Sequence, residues 1–186
     1  MTATTVKSTK ATALQVTLPP TLQDAKGQGA RVNVIVDTIE AATTSIDEAA
    51  DVILMCPVRS NQSIVSLKLY NDDLDTGGTA GAVDIGVYNG DKAFKDGSTA
   101  YAAFAVIDVD AFASAVTTLT AANTAGVEVR YEAASAVSDI ANASKPLWEV
   151  LGLASDPNKV FLIGVTVTTA MTTPAAGTIT LVAQVV

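Results

Sequence analysis

Residues 64–90 read IVSLKLYNDDLDTGGTAGAVDIGVYNG, and this stretch decides the fold class. Its first seven positions alternate Val65, Leu67 and Leu69 with Ser66, Lys68 and Tyr70, the period-2 pattern of a strand with one buried face. Asn71-Asp72-Asp73 then stops the run, because short polar side chains bond to nearby backbone and favour turns. Gly77-Gly78 and Gly81 form a loop. A second strand follows, with Val83, Ile85 and Val87 on one face and Asp84 and Gly86 on the other, and Asn89-Gly90-Asp91 is a turn signal.

The same pattern extends outward in both directions. Upstream, ARVNVIVDTIEA (30–41) alternates Val32, Val34 and Val36 with Arg31, Asn33 and Ile35. Residues 45–55 contain Ile46 and the apolar run from Val52 to Leu54, and end at Pro57. Downstream, FLIGVTVTT (161–169) is branched and apolar, and GTITLVAQVV (177–186) alternates Ile179, Leu181, Ala183 and Val185 with Thr178, Thr180, Val182 and Gln184. A short alternating piece, Leu14, Val16 and Leu18, makes the seventh candidate strand. The centre reads differently. Residues 92–158 are Ala-rich, and a short helix is expected from Asp110 to Ala122, with Asp108 or Asp110 near its start and Asp110 as the specific N-cap. A second weak helix candidate spans Tyr131 to Ala143, and PLWEVLGL (146–153) is a compact apolar patch.

These elements predict an all-β, antiparallel β-sandwich of jelly-roll type, with one or two short helices in a central insertion at about 91–158. An immunoglobulin-like sandwich is the second arrangement that fits. Residues 1–29 read as an extended basic N-terminal arm and 30–186 as a single domain. Pro19-Pro20 breaks any helix or central strand in the arm.

Composition narrows the function. The chain has 186 residues, a net charge of -8, 49% hydrophobic residues and only 16% charged ones. A sizeable core is expected beneath an unusually neutral surface, or one covered by partners. Ala and Thr make up roughly 30% of the chain, and the branched Thr suits pleated sheet. Histidine is absent, which removes Ser-His-Asp and Cys-His catalysis and imidazole metal sites. One cysteine, Cys56, makes neither an intrachain disulfide nor a Cys-rich zinc site. The pI of about 4.3 argues against nucleic acid. The longest apolar runs, 52–56 and 160–165, are far short of the roughly 20 residues of a membrane helix. The N-terminus has no continuous apolar segment of the secretory kind, so no signal is expected. Charge is uneven: residues 1–31 hold four cations, Lys7, Lys10, Lys26 and Arg31, against Asp24 alone, while the other seven cations face eighteen carboxylates. This is a basic arm on an acidic body.

The candidate sites are few. Asp72, Asp73 and Asp75 are a weak calcium candidate that lacks EF-hand spacing, and a turn with Asx hydrogen bonds is the plainer reading. Asp84, beside Gly86, faces solvent or pairs with a cation. Asp108 and Asp110 are too close in sequence for a glycosidase pair held across a sugar. Cys56 has no activating neighbour and is expected to be a buried, inert thiol. Trp148 is expected to anchor the core with Leu147, Val150 and Leu151. Gly86, Gly90 and Gly97 lack the Gly-Lys-Ser/Thr ending of a phosphate loop.

VILMCPVRSNQSIVSLKLYNDDLDTGGTAGAVDIGVYN (52–89), DVDAFASAV (108–116), LWEVLGLASDP (147–157) and GTITLVAQVV (177–186) together resemble the capsid decoration, or cement, proteins of tailed phages. The resemblance covers roughly 30–90 and 105–186 and does not extend well to the arm. It implies a jelly-roll-like sandwich without catalytic or cofactor chemistry. It also implies a symmetric oligomer, often a trimer, seated where capsomers meet on the exterior of the head. The expected partners are then the major capsid protein and further copies of the chain, with no nucleic acid, membrane or small-molecule substrate. Lys7, Lys10, Lys26 and Arg31 are the candidate capsid-binding residues, their charge meeting an acidic capsid surface. A head-fibre or tail-associated sandwich that binds a receptor or glycan is the alternative, for which 5% aromatic residues is a poor supply. A carboxylate-only hydrolase is the third class, without a convincing constellation.

Overall fold

A computed structural model describes residues 31–78, 80–90, 106–131 and 139–186. Lys7, Lys10, Lys26, Gly97 and the Leu14–Leu18 piece lie outside the described residues. Eight strands are described: β1 (Asn33–Ala41), β2 (Val52–Arg59), β3 (Ile64–Asn71), β4 (Ala82–Asn89), β5 (Val106–Val116), β6 (Asn123–Glu128), β7 (Val160–Thr169) and β8 (Gly177–Val185). One short helix, α1 (Leu147–Val150), lies between β6 and β7.

The strands form two antiparallel four-stranded sheets, ordered β1-β8-β3-β6 and β2-β7-β4-β5. Strand one pairs with eight, two with seven, three with six and four with five. The chain is thus one long antiparallel hairpin, doubled back on itself and rolled so that successive pairs fall in alternate sheets. This is the eight-stranded jelly roll, and it settles the choice against the immunoglobulin-like order.

The core lies between the sheets. Leu67 and Leu69 of β3, Ile179, Leu181, Ala183 and Val185 of β8, and Ile163 and Val165 of β7 are buried and join one hydrophobic cluster with Val83, Ile85 and Val87 of β4. Each large aliphatic side chain contributes about 1.5–3 kcal/mol on leaving water. Strand β4 departs from the expected alternation: every residue from Ala82 to Tyr88 is buried. Its second face is closed at Gly86, where a Cβ would lie 2.2 Å from the Val109 carbonyl oxygen, so the backbone of β5 comes closer than any side chain permits.

The helix expected from Asp110 to Ala122 is not there. Residues 106–116 are strand β5, Asp110 lies inside it, and a 3-10 turn (Thr118–Thr120) follows. Strand β6, unforeseen, comes next, so the supposed insertion supplies one strand to each sheet. The pairing of β5 with β4 shifts register three times, which breaks the period-2 pattern and leaves Ala111, Phe112 and Ala113 buried in succession. Of the second helix candidate, 132–138 lie outside the described residues, and Ile140–Asn142 is a 3-10 turn whose Ala141 N–H donates to the Asp139 carboxylate at 3.0 Å.

The patch 146–153 docks on the β2–β3 turn. Leu147 N–H donates to the Gln62 carbonyl and Trp148 N–H to that of Ser60. Leu147 and Val150 are buried, but Trp148 and Leu151 are only half-buried, so Leu147 is the anchor expected of Trp148.

Candidate interaction surface

Carboxylate side chains repeatedly substitute for missing ladder partners. At Cys56 the β2–β7 register shifts between Met55 and Pro57, and Cys56 takes φ 41°. Its N–H, displaced from the ladder, donates to Asp37 Oδ2 of β1 at 2.8 Å. At Ala115, where β5 bulges against β4 with φ 53°, the N–H donates to Asp84 Oδ1 at 2.7 Å. Asp84 is therefore buried beneath a backbone amide rather than facing solvent, and among the described residues no cation pairs with it. Glu128 of β6 serves similarly: Oε1 accepts from the Leu67 and Arg130 N–H groups, and Oε2 from the Ser66 hydroxyl.

Asp72, Asp73 and Asp75 separate. Asp72 Oδ2 accepts from Thr178 N–H, Asp73 Oδ1 from Asp75 N–H, and Asp75 Oδ1 from Thr173 N–H. The first of these bonds ties the loop to β8 itself, the second is local, and the third reaches the segment before β8. Among the described residues no three acidic or cysteine side chains gather around one point. Asp108 and Asp110 sit two apart on β5. Burial first, then the hydrogen bond to Asp110, raises the Asp108 carboxyl above its ordinary 3.8. The Cys56 thiol is fully buried and donates to the Leu181 carbonyl at 3.4 Å; burial, then the Asp37 charge, pushes it up to about 12. It is an inert packing residue, as expected.

Sequence reasoning did not single out Arg130. It is 1% exposed, its guanidinium stacks 5.2 Å from the Phe112 ring and 4.9 Å from the Tyr131 ring, and its Nε donates to the Ile64 carbonyl. Burial lowers its proton affinity, while Tyr131 and Glu128 act in the opposite sense. Arg130 thereby joins β5, β3 and the end of β6. The nearby aromatics were visible in the sequence, but an arginine between Val129 and Tyr131 carries no signal of its own that it is buried.

The outward face of the β1-β8-β3-β6 sheet is weakly charged. Val34, Val36, Thr38 and Glu40 of β1 lie opposite Gln184, Val182, Thr180 and Thr178 of β8. Thr38 and Thr180 share a hydroxyl hydrogen bond of 2.9 Å, and Thr178 donates to Glu40 at 3.0 Å. A shallow hollow of about 130 Å³ lies beside Tyr70, Asp72, Asn123 and Thr178. Gly126, at φ 77°, leaves room for the Tyr70 ring: a Cβ there would come within 2.5 Å of it. Arg31, alone of the four candidate cations in being described, is exposed two residues before β1. Among the described residues no helix is long and apolar enough to cross a membrane.

No protein-family model matches the chain, and no curated sequence matches it. Solved structures do. The chain is similar to one in the capsid of Ralstonia phage GP4, with 22% identity, a TM-score of 0.55 and 84% of each chain covered. It is also similar to one in the capsid asymmetric unit of cyanophage Pam1, with 16% identity, a TM-score of 0.50, and 92% of this chain and 96% of that chain covered. At these identities the likeness establishes a shared fold.

Proposed function

We propose that the protein is a non-catalytic virion structural component that binds the outer surface of a phage head and stabilises the capsid lattice by bridging capsomers. The observation that carries this reading is the jelly-roll likeness to two phage-capsid chains over 84% and 92% of this chain. The neutral, threonine-rich sheet face supports it, because few charges must lose water when such a surface is covered. The working form is a symmetric homo-oligomer, a trimer, in contact with the major capsid protein. The mechanism is mechanical: strain in the lattice must break the added interfaces before capsomers separate. The basic arm, through Lys7, Lys10, Lys26 and Arg31, supplies long-range attraction to an acidic capsid exterior.

The test is the copy number of the protein in purified virions of the phage that encodes it, measured by quantitative mass spectrometry against the major capsid protein. Hundreds of copies in a fixed ratio to the capsid protein support the proposal. A handful would overturn it in favour of a fibre or tail component with an adhesive role, and absence would remove the virion assignment altogether.

A further inference from the structure

The four outer edges of this sandwich are finished differently. Strand β2 carries Pro57 and the Cys56 bulge, β5 has three register shifts against its neighbour, and β6 is six residues long with a shift of its own. Each device discourages another strand from pairing there. Strand β1 has none. Its nine residues pair with β8 without interruption from Asn33↔Val185 to Ala41↔Gly177, it contains neither Pro nor Lys, and among the described residues no strand lies on its far side. Its outward valines Val34 and Val36 are bare, 57% and 63% exposed, as is Val32 just before the strand at 48%. A long, regular, apolar edge left open in one chain is a pairing surface.

The sequence of the edge names its occupant. Residues 31–37 read Arg-Val-Asn-Val-Ile-Val-Asp, basic at one end, acidic at the other and valine at every second position between. Laid antiparallel on itself about Val34, this segment places Val34 opposite Val34, Val32 opposite Val36, and Arg31 opposite Asp37. The valine pairs fall on the outward face and the charged pairs on the other, as the strand period requires. Asp37 already accepts the Cys56 N–H through Oδ2, and a carboxylate takes several donors.

We propose that β1 pairs with β1 of a second copy across a two-fold axis at Val34, joining two four-stranded sheets into one of eight. The pairing is isologous, so it joins copies two by two and closes on itself. The inference needs only a second copy of the chain and does not rest on the capsid reading.

Mass measurement of the full chain by light scattering, alone and as Val34→Lys, tests it. The expected result is an assembly whose mass falls twofold in the variant while its circular dichroism stays that of the folded chain, since within one chain the side chain points to solvent. Val34→Cys fixes the register: two thiols facing each other in an antiparallel pair come within disulfide reach, so oxidation should give a covalent dimer, whereas Val36→Cys should crosslink far less. Cys56 is buried and does not compete. A wild-type mass unaffected by Val34→Lys, or no crosslink through Cys at 34, would overturn the proposal. So would a monomer at all concentrations: a maleimide-shielded Cys at 34 would then mean that the chain's own residues cover the edge, and a reactive one that the edge awaits a foreign strand.

Discussion

Asp37 and Cys56 meet across the seam between the two sheets, the carboxylate of one receiving the backbone N–H of the other at 2.8 Å. Asp37 belongs to edge strand β1 and Cys56 to edge strand β2, so the bond laces one open side of the sandwich. Asp84 and Ala115 repeat the arrangement within the second sheet. Asp37→Ala leaves the amide of buried Cys56 without an acceptor and should cost about 1–3 kcal/mol, whereas Asp84→Ala frees the amide of exposed Ala115, which water can reach, and should cost less. Asn at either position keeps an acceptor and should cost less. Urea denaturation midpoints measure both, and Ala variants that unfold with the wild type would strip the carboxylates of this role.

Ala115 is exposed yet sits at φ 53°, where an L-residue with a Cβ is strained. Ala115→Gly should therefore raise stability, by up to about 1 kcal/mol after the added flexibility of the unfolded chain is counted. Cys56→Gly relieves the same backbone but removes a packed side chain, and should lower stability. Thermal midpoints moving the same way in both variants would contradict this account.

The Cys56 thiol should be silent towards Ellman's reagent at pH 8 until the chain unfolds, because burial holds it at about 12 against an ordinary 9.0. The sign of the pH effect follows. Below pH 9 both folded and unfolded states keep the proton, and nothing is lost. From pH 9 to about 12 only the unfolded state ionises, so stability falls as pH rises. Comparing the pH slope of wild type and Cys56→Ala isolates this contribution, and equal slopes would contradict it.

Asp108 has its folded value raised, so its neutral form suits the fold. Stability from this group is complete below pH 3.8 and declines as pH rises through the folded value. Asp110→Asn removes the neighbouring charge and should stabilise at pH 7 by about 0.2–1 kcal/mol, towards the lower end because the pair is largely solvated. Near pH 3 the variant and wild type should unfold together. A gain of equal size at both pH values would show that charge is not the cause.

Replacing Lys7, Lys10, Lys26 and Arg31 together by Ala should weaken binding to isolated heads and flatten its dependence on salt, because exposed charges act over about 10 Å at 0.1 M salt. Binding curves at two ionic strengths report it. Unchanged affinity and salt slope would remove the arm from the capsid contact.

Regular pairing made much of the fold legible. Strands β3, β4, β7 and β8 read directly from period-2 alternation or apolar runs because they hold the inner positions of the sheets, and the edge strand β1 does so because it pairs with β8 without interruption. Strand β5 did not, since its bulges shift side chains from face to face and its alanines mimic a helix. Strand β6, NTAGVE, has too few apolar residues to signal anything and is held by Glu128 and Asn123 side chains instead. The local bond from Asp75 N–H to Asp73 was foreseeable from local chemistry, whereas the reach of Asp72 and Asp75 to Thr178 and Thr173, like the burial of Asp84 and Arg130, depends on which strand crosses them. The open edge of β1 was invisible for a similar reason: alternation reveals two faces but says nothing of what lies beside them.

The nested pairing also sets a timetable for the chain at the ribosome. Asn33 pairs with Val185, so the first described strand has no ladder partner until β8 has emerged. The tip of the long hairpin, β4 with β5, can form early; each outer pair must wait for a later stretch of polypeptide. Sheet closure by β8 is therefore the last pairing among the described strands, and the valine-rich β1 waits as a lone strand until β8 has been made. A truncation or stall anywhere before residue 177 releases a polypeptide with that strand unpaired, a ready seed for aggregation.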